Sequence, residues 1–202
     1  MDFDVLIIGG GAAGLSCALV IGSAMENPYA ENKKAGIILH QKASHLNSAL
    51  LNNAFGIAPG TSGMDVLSSA VSQLEELYPK LQRIEKEKVK EIQEIEGGYR
   101  VITNKKEYSA AKVVLTIGYN SPFRIKGLEA YLIPHKKAKP TKNRVQLKND
   151  DHLVKPGLYV AGTLAGWRSQ VVIASGSGAS VATDILTDWN KGEHTKVHDK
   201  LA

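Results

Sequence analysis

Three glycines near the start of the chain, Gly9, Gly11 and Gly14, follow a short apolar run with the spacing G-x-G-x-x-G. In such a turn the first glycine permits a tight bend, and the second lets a phosphate approach the backbone. The third allows the following helix to pack closely on its strand. The free N–H groups at Ala12 and Ala13 and the positive end of that helix suit a pyrophosphate. The pattern predicts a dinucleotide site, and the alternative is a glycine-rich turn that binds nothing.

This motif has meaning only between a strand and a helix. Residues 5–8 are apolar and β-branched, which is typical of a buried parallel strand, and Leu15, Ala18, Leu19 and Gly22 recur at helical spacing. Alternating residues from about Val89 predict a small antiparallel meander. Further buried strands are expected at 37–39, 112–118 and 156–162, and further helices at 66–77 and 170–186.

Composition limits the class of protein. The 202 residues are 43% hydrophobic and 22% charged, as in a globular chain, and the net charge of +5 does not by itself indicate nucleic acid. We find neither a run of transmembrane length nor a signal peptide, so we expect no membrane association and a cytoplasmic location. The only cysteine, Cys17, is expected to be buried and excludes a C-x-x-C pair within this chain.

Four segments, taken in order, resemble the FAD-binding part of the thioredoxin reductase-like flavoprotein oxidoreductases, a branch of the pyridine nucleotide–disulfide oxidoreductases. The matching segments are residues 8–18, 53–63, 115–118, and 156–163 together with 170–182. The resemblance implies an α/β fold, a Rossmann-like FAD/NAD(P)-binding domain with a central parallel sheet, helices and a small antiparallel β-meander.

The resemblance also implies where FAD would lie. The pyrophosphate is expected at residues 11–14, the adenosine ribose near residues 40 and 41, and the ribityl chain at residues 162 and 163. The flavin ring is expected between segment 44–56 and the start of the last helix. The implied cofactor-binding residues are Gly9, Gly11, Ala12, Ala13, Gly14, His40, Gln41, Asn53, Gly118, Gly162, Thr163, Gln170 and Val171.

The chain departs from the family's pattern in four places, one of which is Thr116-Ile117-Gly118 where the family has Ala-Thr-Gly. The family inserts an NADPH-binding domain between the third and fourth segments, and in thioredoxin reductases proper that domain carries a redox C-x-x-C. Here residues 120–155 contain neither a second G-x-G-x-x-G nor a cysteine. Thr163 stands where the family has an aspartate, and His40-Gln41 follows the second strand in place of an acid. We therefore expect a single FAD-binding domain over 1–189, with 131–149 as a bridge replacing the NADPH domain, and a polar tail over 190–202.

The resemblance implies an FAD-dependent oxidoreductase that transfers hydride or electrons through bound flavin. NAD(P)H or a redox-partner protein would be its donor, a homodimer is possible, and no catalytic side chain is designated. One alternative is a non-catalytic FAD- or nucleotide-binding module or electron-transfer partner. Another is a simple NAD-binding dehydrogenase, against which segments 53–63 and 156–182 argue.

Other residues leave two interpretations open. His45 is either a catalytic acid or base, or else a surface histidine. Arg168 either binds an anion or is solvated. Trp167 either covers the flavin edge or anchors a loop. His194 and His198 have metal-ligand spacing but no third ligand, so no metal site is predicted. The basic stretch 135–144 lacks interleaved aromatic residues, which favours a solvated connection or a docking patch for an acidic redox partner over a nucleic-acid site.

Overall fold

The structure, a computed structural model, describes residues 1–39, 44–195 and 198. Three helices in this part of the chain are α1 (Ala12–Ala24), α2 (Gly63–Leu77) and α3 (Val171–Trp189). The strands are β1 (Phe3–Ile8), β2 (Ala35–Ile38), β3 (Leu50–Leu51), β4 (Thr61–Ser62), β5 (Gln82–Ile84), β6 (Val89–Ile95), β7 (Gly98–Thr103), β8 (Glu107–Leu115), β9 (Leu132–Pro134), β10 (Val145–Leu147), β11 (Leu153–Lys155) and β12 (Leu158–Val160). None of the described helices is both long and apolar enough to cross a membrane.

The main sheet has the strand order β11-β12-β8-β1-β2-β5. Strands β12, β8, β1, β2 and β5 are parallel, with Ile8 of β1 opposite Ile38 on one side and Leu115 on the other. Numbered along the chain, these five parallel strands lie in the order 3-2-1-4-5, which is the order of dinucleotide-binding folds. The order reverses between β1 and β8, so a crevice is expected at the carboxyl ends of those two strands. The predicted fold class is confirmed.

Strand β8 belongs to two parts of the sheet. Its first half pairs antiparallel with β7, and its second half lies between β1 and β12. The predicted meander is confirmed as β6-β7-β8. The prediction that this strand starts at Lys112 is wrong, because Tyr108 and Ala110 are already buried in the core and Ser109 between them interrupts the apolar run.

Several short elements were not predicted. Strand β5 extends the parallel sheet with Ile84 as its only buried residue, so its sequence signal is weak. Strands β9 and β10 form a hairpin inside the expected bridge 131–149, and β11 pairs with β12. Segment 44–63 contains a 3-10 helix, His45–Ser48, and the pair β3–β4.

Alternation along β1 divides the core between the two faces of the sheet. Val5 and Ile7 pack with α1 and α3, whereas Leu6 and Ile8 pack with the meander and the β9–β10 hairpin. Cys17 is fully buried in the helical layer, as predicted, and burial raises the pKa of its thiol well above its usual range. Packing of α1 against α3 and β1 thus fixes the position of the start of α1.

Helices α1 and α3 approach closely because small residues line their interface. A Cβ atom on Gly178 would lie 1.9 Å from the backbone oxygen of Ala13, whereas a Cβ atom on Gly176 would meet nothing within 4 Å. We expect Gly178→Ala to lower the free energy of unfolding by about 2 kcal/mol through overpacking. Gly176→Ala is the matched control on the same helix and should raise it by about 0.5–1 kcal/mol through helix propensity. Urea denaturation measures both, and equal effects would contradict the close approach of the two helices.

Candidate functional site

A cavity of about 990 Å³ opens at the carboxyl ends of β1 and β8. This is the point where the strand order reverses, which is where open α/β sheets bind ligands. Its volume lies at the upper end of the ~300–1,000 Å³ usual for ligand pockets. Most of its walls come from residues 9–13, 44–47, 116–125 and 162–163, together with Ala49, Ser169, Val171 and Ala174.

The glycine turn forms the floor of the cavity. Gly9 has a φ of +123°, a backbone conformation that favours glycine. A Cβ atom on Gly14 would lie 1.8 Å from the Gly9 oxygen, so the third glycine of the motif is a steric requirement. A Cβ atom on Gly11 would come no closer than 3.7 Å to the nearest heavy atom, Oγ of Ser44. Gly11 is also the N-cap of α1 and offers no side chain to the first-turn N–H groups, which leaves room and donors for an anion.

Thr116 ties the end of β8 to this turn. Its buried hydroxyl lies 2.9 Å from the carbonyl oxygens of both Ile8 and Gly9, to which it donates, and its N–H donates to Ile8 as well. The backbone of the turn is thereby held in place from the neighbouring strand. The sequence motif at 115–118 pointed to this strand end without indicating that the threonine supports the glycine turn.

A buried chain of hydrogen bonds supports the opposite wall. Gly162, with a φ of +70°, donates its N–H to Oγ of Ser177 at 2.8 Å. The Ser177 hydroxyl also forms a hydrogen bond with Nε2 of His152, 2.8 Å away. On the same wall, Nε2 of His135 donates to the Thr163 carbonyl oxygen at 3.0 Å. Ser177, His152 and His135 were not predicted, since no local pattern marks a buried serine or histidine as a partner of a distant turn.

Burial is the main cause that lowers the pKa of both His152 and His135. The carboxylates of Asp151 and Asp184 oppose this effect at His152 without cancelling it. The Nδ1 atom of His152 is buried and has no hydrogen-bond partner among the described residues, although Asp151 Oδ1 lies 3.5 Å away. His152 is therefore a neutral, supporting residue at pH 7.

The start of α3 reaches the cavity through its backbone and small side chains. Val171 and Ala174 line the cavity, whereas Gln170 turns its side chain to accept from the N–H of Ile173 at 3.0 Å. The same side chain donates to the Asn53 carbonyl oxygen at 3.4 Å. Gln170 thus caps the helix and fastens segment 50–54 to it.

The structure brings most of the predicted cofactor residues to this one cavity. Those that line it are Gly9, Gly11, Ala12, Ala13, Gly118, Gly162, Thr163 and Val171. Gly14, Asn53 and Gln170 do not line it, and their contacts support the residues that do. His40 and Gln41 lie outside the described residues.

Of the residues with two interpretations, His45 lines the cavity. Trp167 stacks on His152 with ring centroids 5.8 Å apart, which favours the loop-anchor interpretation. Arg168 is exposed and does not line the cavity. Among residues 1–39, 44–195 and 198, no three His, Cys, Asp or Glu side chains are grouped to hold a metal ion.

Solved structures with the same fold are numerous, although no protein-family profile and no curated protein matches the chain. An oxidoreductase from Agrobacterium tumefaciens superimposes with a TM-score of 0.74 at 15% identity, covering 96% of this chain and 100% of its own. A thioredoxin reductase from Gloeobacter violaceus gives 0.73 at 16% identity and covers 100% and 99%. A ferredoxin-flavin thioredoxin reductase from Clostridium acetobutylicum gives 0.69 at 17% identity and covers 95% and 99%.

The chain has the thioredoxin reductase fold. At identities of 15–17%, these superpositions establish the fold but do not establish the activity. The predicted resemblance is therefore confirmed at the level of architecture. In this thioredoxin reductase fold, the cavity occupies the switch point of the parallel sheet.

Proposed function

We propose that the chain binds FAD in this cavity and acts as an FAD-dependent oxidoreductase. The proposal rests on one observation at Gly11. Open space lies beside this residue, and the first N–H groups of α1 have no side-chain cap, at the switch point of the sheet. That arrangement suits a pyrophosphate, which needs N–H donors and an unobstructed backbone. The thioredoxin reductase fold supports a flavin over a nicotinamide ligand.

In this proposal the chain's residues bind and orient the cofactor. Residues 11–14 hold the pyrophosphate, residues 40 and 41 the ribose, and residues 162 and 163 the ribityl chain, with Gly118 lining the same cavity. The flavin lies between segment 44–56 and the start of α3, whose positive dipole end favours the negative charge gained on reduction. Bound FAD would itself supply the capacity to accept and pass on hydride.

The residues present fit such an anionic cofactor. Lys88 and Arg124 line the cavity, and no Asp or Glu is found among the described lining residues. Thr163 offers a hydroxyl where the family has a carboxylate. It can still form a hydrogen bond with the ribityl chain, but it lacks the negative charge of the carboxylate. We expect weaker FAD retention than an acidic residue would give, and not a loss of the site.

We further propose that residues 1–189 form one FAD-binding domain, with 131–149 in place of an NADPH-binding domain and 190–202 as a polar tail. Electrons would then come from diffusing NAD(P)H or from a redox-partner protein. The Clostridium acetobutylicum neighbour is named for ferredoxin, which makes a protein donor compatible with this fold. A cytoplasmic location and a homodimer complete the proposal.

A second candidate is a binding module that holds FAD or another adenine nucleotide without turnover. Residues 120–155 favour it, because they form short strands, turns and two 3-10 helices of three residues each and bring no second glycine motif. The chain's single cysteine also leaves it without a disulfide pair of its own. The two candidates differ in whether bound flavin is reduced and reoxidised in a cycle.

The visible spectrum of the purified protein tests the proposal directly. We expect flavin absorbance after FAD is added and gel filtration has removed the excess, and bleaching by NADPH or a reduced partner followed by reoxidation. Bound flavin that never bleaches supports the binding module. A protein that stays colourless after FAD addition rules out the proposal, and mass spectrometry of the ligand released on denaturation separates FAD from NAD.

A further inference from the structure

The rim of the cavity carries an arginine that no described carboxylate neutralises. Arg144 immediately precedes β10, and its Nη1 donates a hydrogen bond to Oδ1 of Asn120. Its guanidinium carbon lies 4.9 Å from the centroid of the Tyr119 ring, a cation–π distance. Tyr119 and Asn120 line the cavity, so Arg144 stands where the expected bridge meets the opening.

Two histidines contact Tyr119 as well. Nε2 of His45 donates to Oδ1 of Asn120 across 3.4 Å, and the His45 ring meets Tyr119 edge-on with centroids 6.2 Å apart. On its other side Tyr119 contacts the His135 ring at 5.1 Å. Residues far apart in the chain therefore meet around Tyr119 and Asn120 at one edge of the cavity.

Positive charge at the rim lacks a counter-charge. Residues 131–149 contain six Lys or Arg and no Asp or Glu, although the whole chain has a net charge of only +5. The ion pairs between Lys or Arg and carboxylates in the described part of the chain use other cations, namely Lys33, Lys80, Arg83, Arg100, Lys112 and Lys155. A guanidinium has five N–H donors, and among described residues only Asn120 accepts one from Arg144. The remaining donors suit the oxygens of a carboxylate or phosphate.

We propose that Arg144, with Asn120 and His45, recognises an oxyanion on the second reactant that enters the cavity. This inference rests on the proposed function, because it assigns the glycine turn to FAD and the rim to the molecule that exchanges electrons with it. The oxyanion belongs either to a phosphate of a nicotinamide dinucleotide or to the carboxylate of an organic acid. Both present the same chemistry to a half-buried guanidinium.

Calorimetric titration of the FAD-loaded protein with NADPH and, separately, with succinate distinguishes these sources. We expect one probe to bind the unchanged chain and Arg144→Gln to weaken that binding by about tenfold or more. Arg144→Lys keeps the charge without the planar fork and should give an intermediate affinity. Lys139→Gln removes an exposed charge from the same segment and should bind the probe as the unchanged chain does.

Thermal unfolding and FAD affinity are measured for each variant, and both should be unchanged in Arg144→Gln. The proposal is overturned if neither probe binds the unchanged chain, or if Arg144→Gln binds the probe normally. It is also overturned if that variant loses FAD instead, since Arg144 would then serve the cofactor. If the chain takes no FAD at all, the proposed function fails, and titration of the FAD-free protein still reports whether Arg144 binds the probe.

Discussion

Gly11→Ala is expected to lower FAD affinity about a hundredfold while leaving the fold intact, because the added methyl group enters the space that the pyrophosphate needs. The backbone at Gly11 has φ −88° and ψ −176°, which alanine adopts readily. The new Cβ atom would come no closer than 3.7 Å to its nearest neighbour. Replacing glycine by alanine at an N-cap costs about 1 kcal/mol or less.

Gly14→Ala changes another glycine of the same motif, and we expect it to destabilise the fold itself. Its Cβ atom would lie 1.8 Å from the Gly9 oxygen and 2.5 Å from Oγ1 of Thr116, so α1 must move off its strand. We expect a loss of about 3 kcal/mol or more in the free energy of unfolding, at the severe end of overpacking. Urea denaturation and FAD fluorescence titration of both variants measure the two effects.

The contrast between the two glycines separates a ligand site from a structural turn. If the turn binds nothing, Gly11→Ala will bind FAD as the unchanged chain does and will differ from it only by the small N-cap cost in stability. Gly176→Ala controls for the substitution itself, since its Cβ atom meets nothing within 4 Å. A Gly11→Ala protein that is stable and still binds FAD with full affinity would remove the basis of the proposed function.

The sequence predicted those parts of the fold that local pattern dictates. The strand–turn–helix unit at the start follows from β-branched residues, glycines and helical periodicity. Strand β5 and the β9–β10 hairpin escaped prediction because three-residue strands have no periodicity of their own and depend on their partners. Their existence is a property of the tertiary structure.

The residues of the candidate site also fall into those that the sequence predicted and those that it did not. The glycine turn was predictable because its residues are consecutive and each has a separate steric reason to be glycine. The rim was not, since His45, Asn120 and Arg144 meet only after the sheet has brought three distant segments together. Thr116 and Ser177 were missed because a small polar residue in an apolar run gives no sign of which backbone group it will bind.

Ser177→Ala is expected to lower the free energy of unfolding by about 3 kcal/mol, because it leaves two buried polar groups without partners. These groups are the Gly162 N–H and Nε2 of His152, each 2.8 Å from the Ser177 oxygen. FAD affinity should fall as well, since Gly162 holds one wall of the cavity. Ser180→Ala is the matched control on α3, as its hydroxyl makes no hydrogen bond to a described residue. Equal stability of the two variants would show that the Ser177 hydroxyl does not support the turn.

The same network should make stability depend on pH through His152. Burial lowers the pKa of His152 below its ordinary 6.5, so the unfolded chain binds a proton at a higher pH than the folded chain does. The contribution to stability is therefore complete above pH 6.5 and is lost as the pH falls from 6.5 towards the lowered pKa. The loss approaches about 1.4 kcal/mol for each pH unit that separates the folded-state pKa from the unfolded-state pKa. His135 adds a slope of the same sign.

His152→Asn removes this titration and suits the left-handed backbone at that position, where φ is +74°. We expect urea unfolding between pH 7.5 and 5.5 to show a shallower decline in this variant, with the remainder due to His135. The loss of stacking on Trp167 lowers stability equally at each pH, so the slope and not the absolute value is diagnostic. An unchanged slope would mean that His152 titrates alike in the folded and unfolded chains, and that its burial against Ser177 does not keep it neutral.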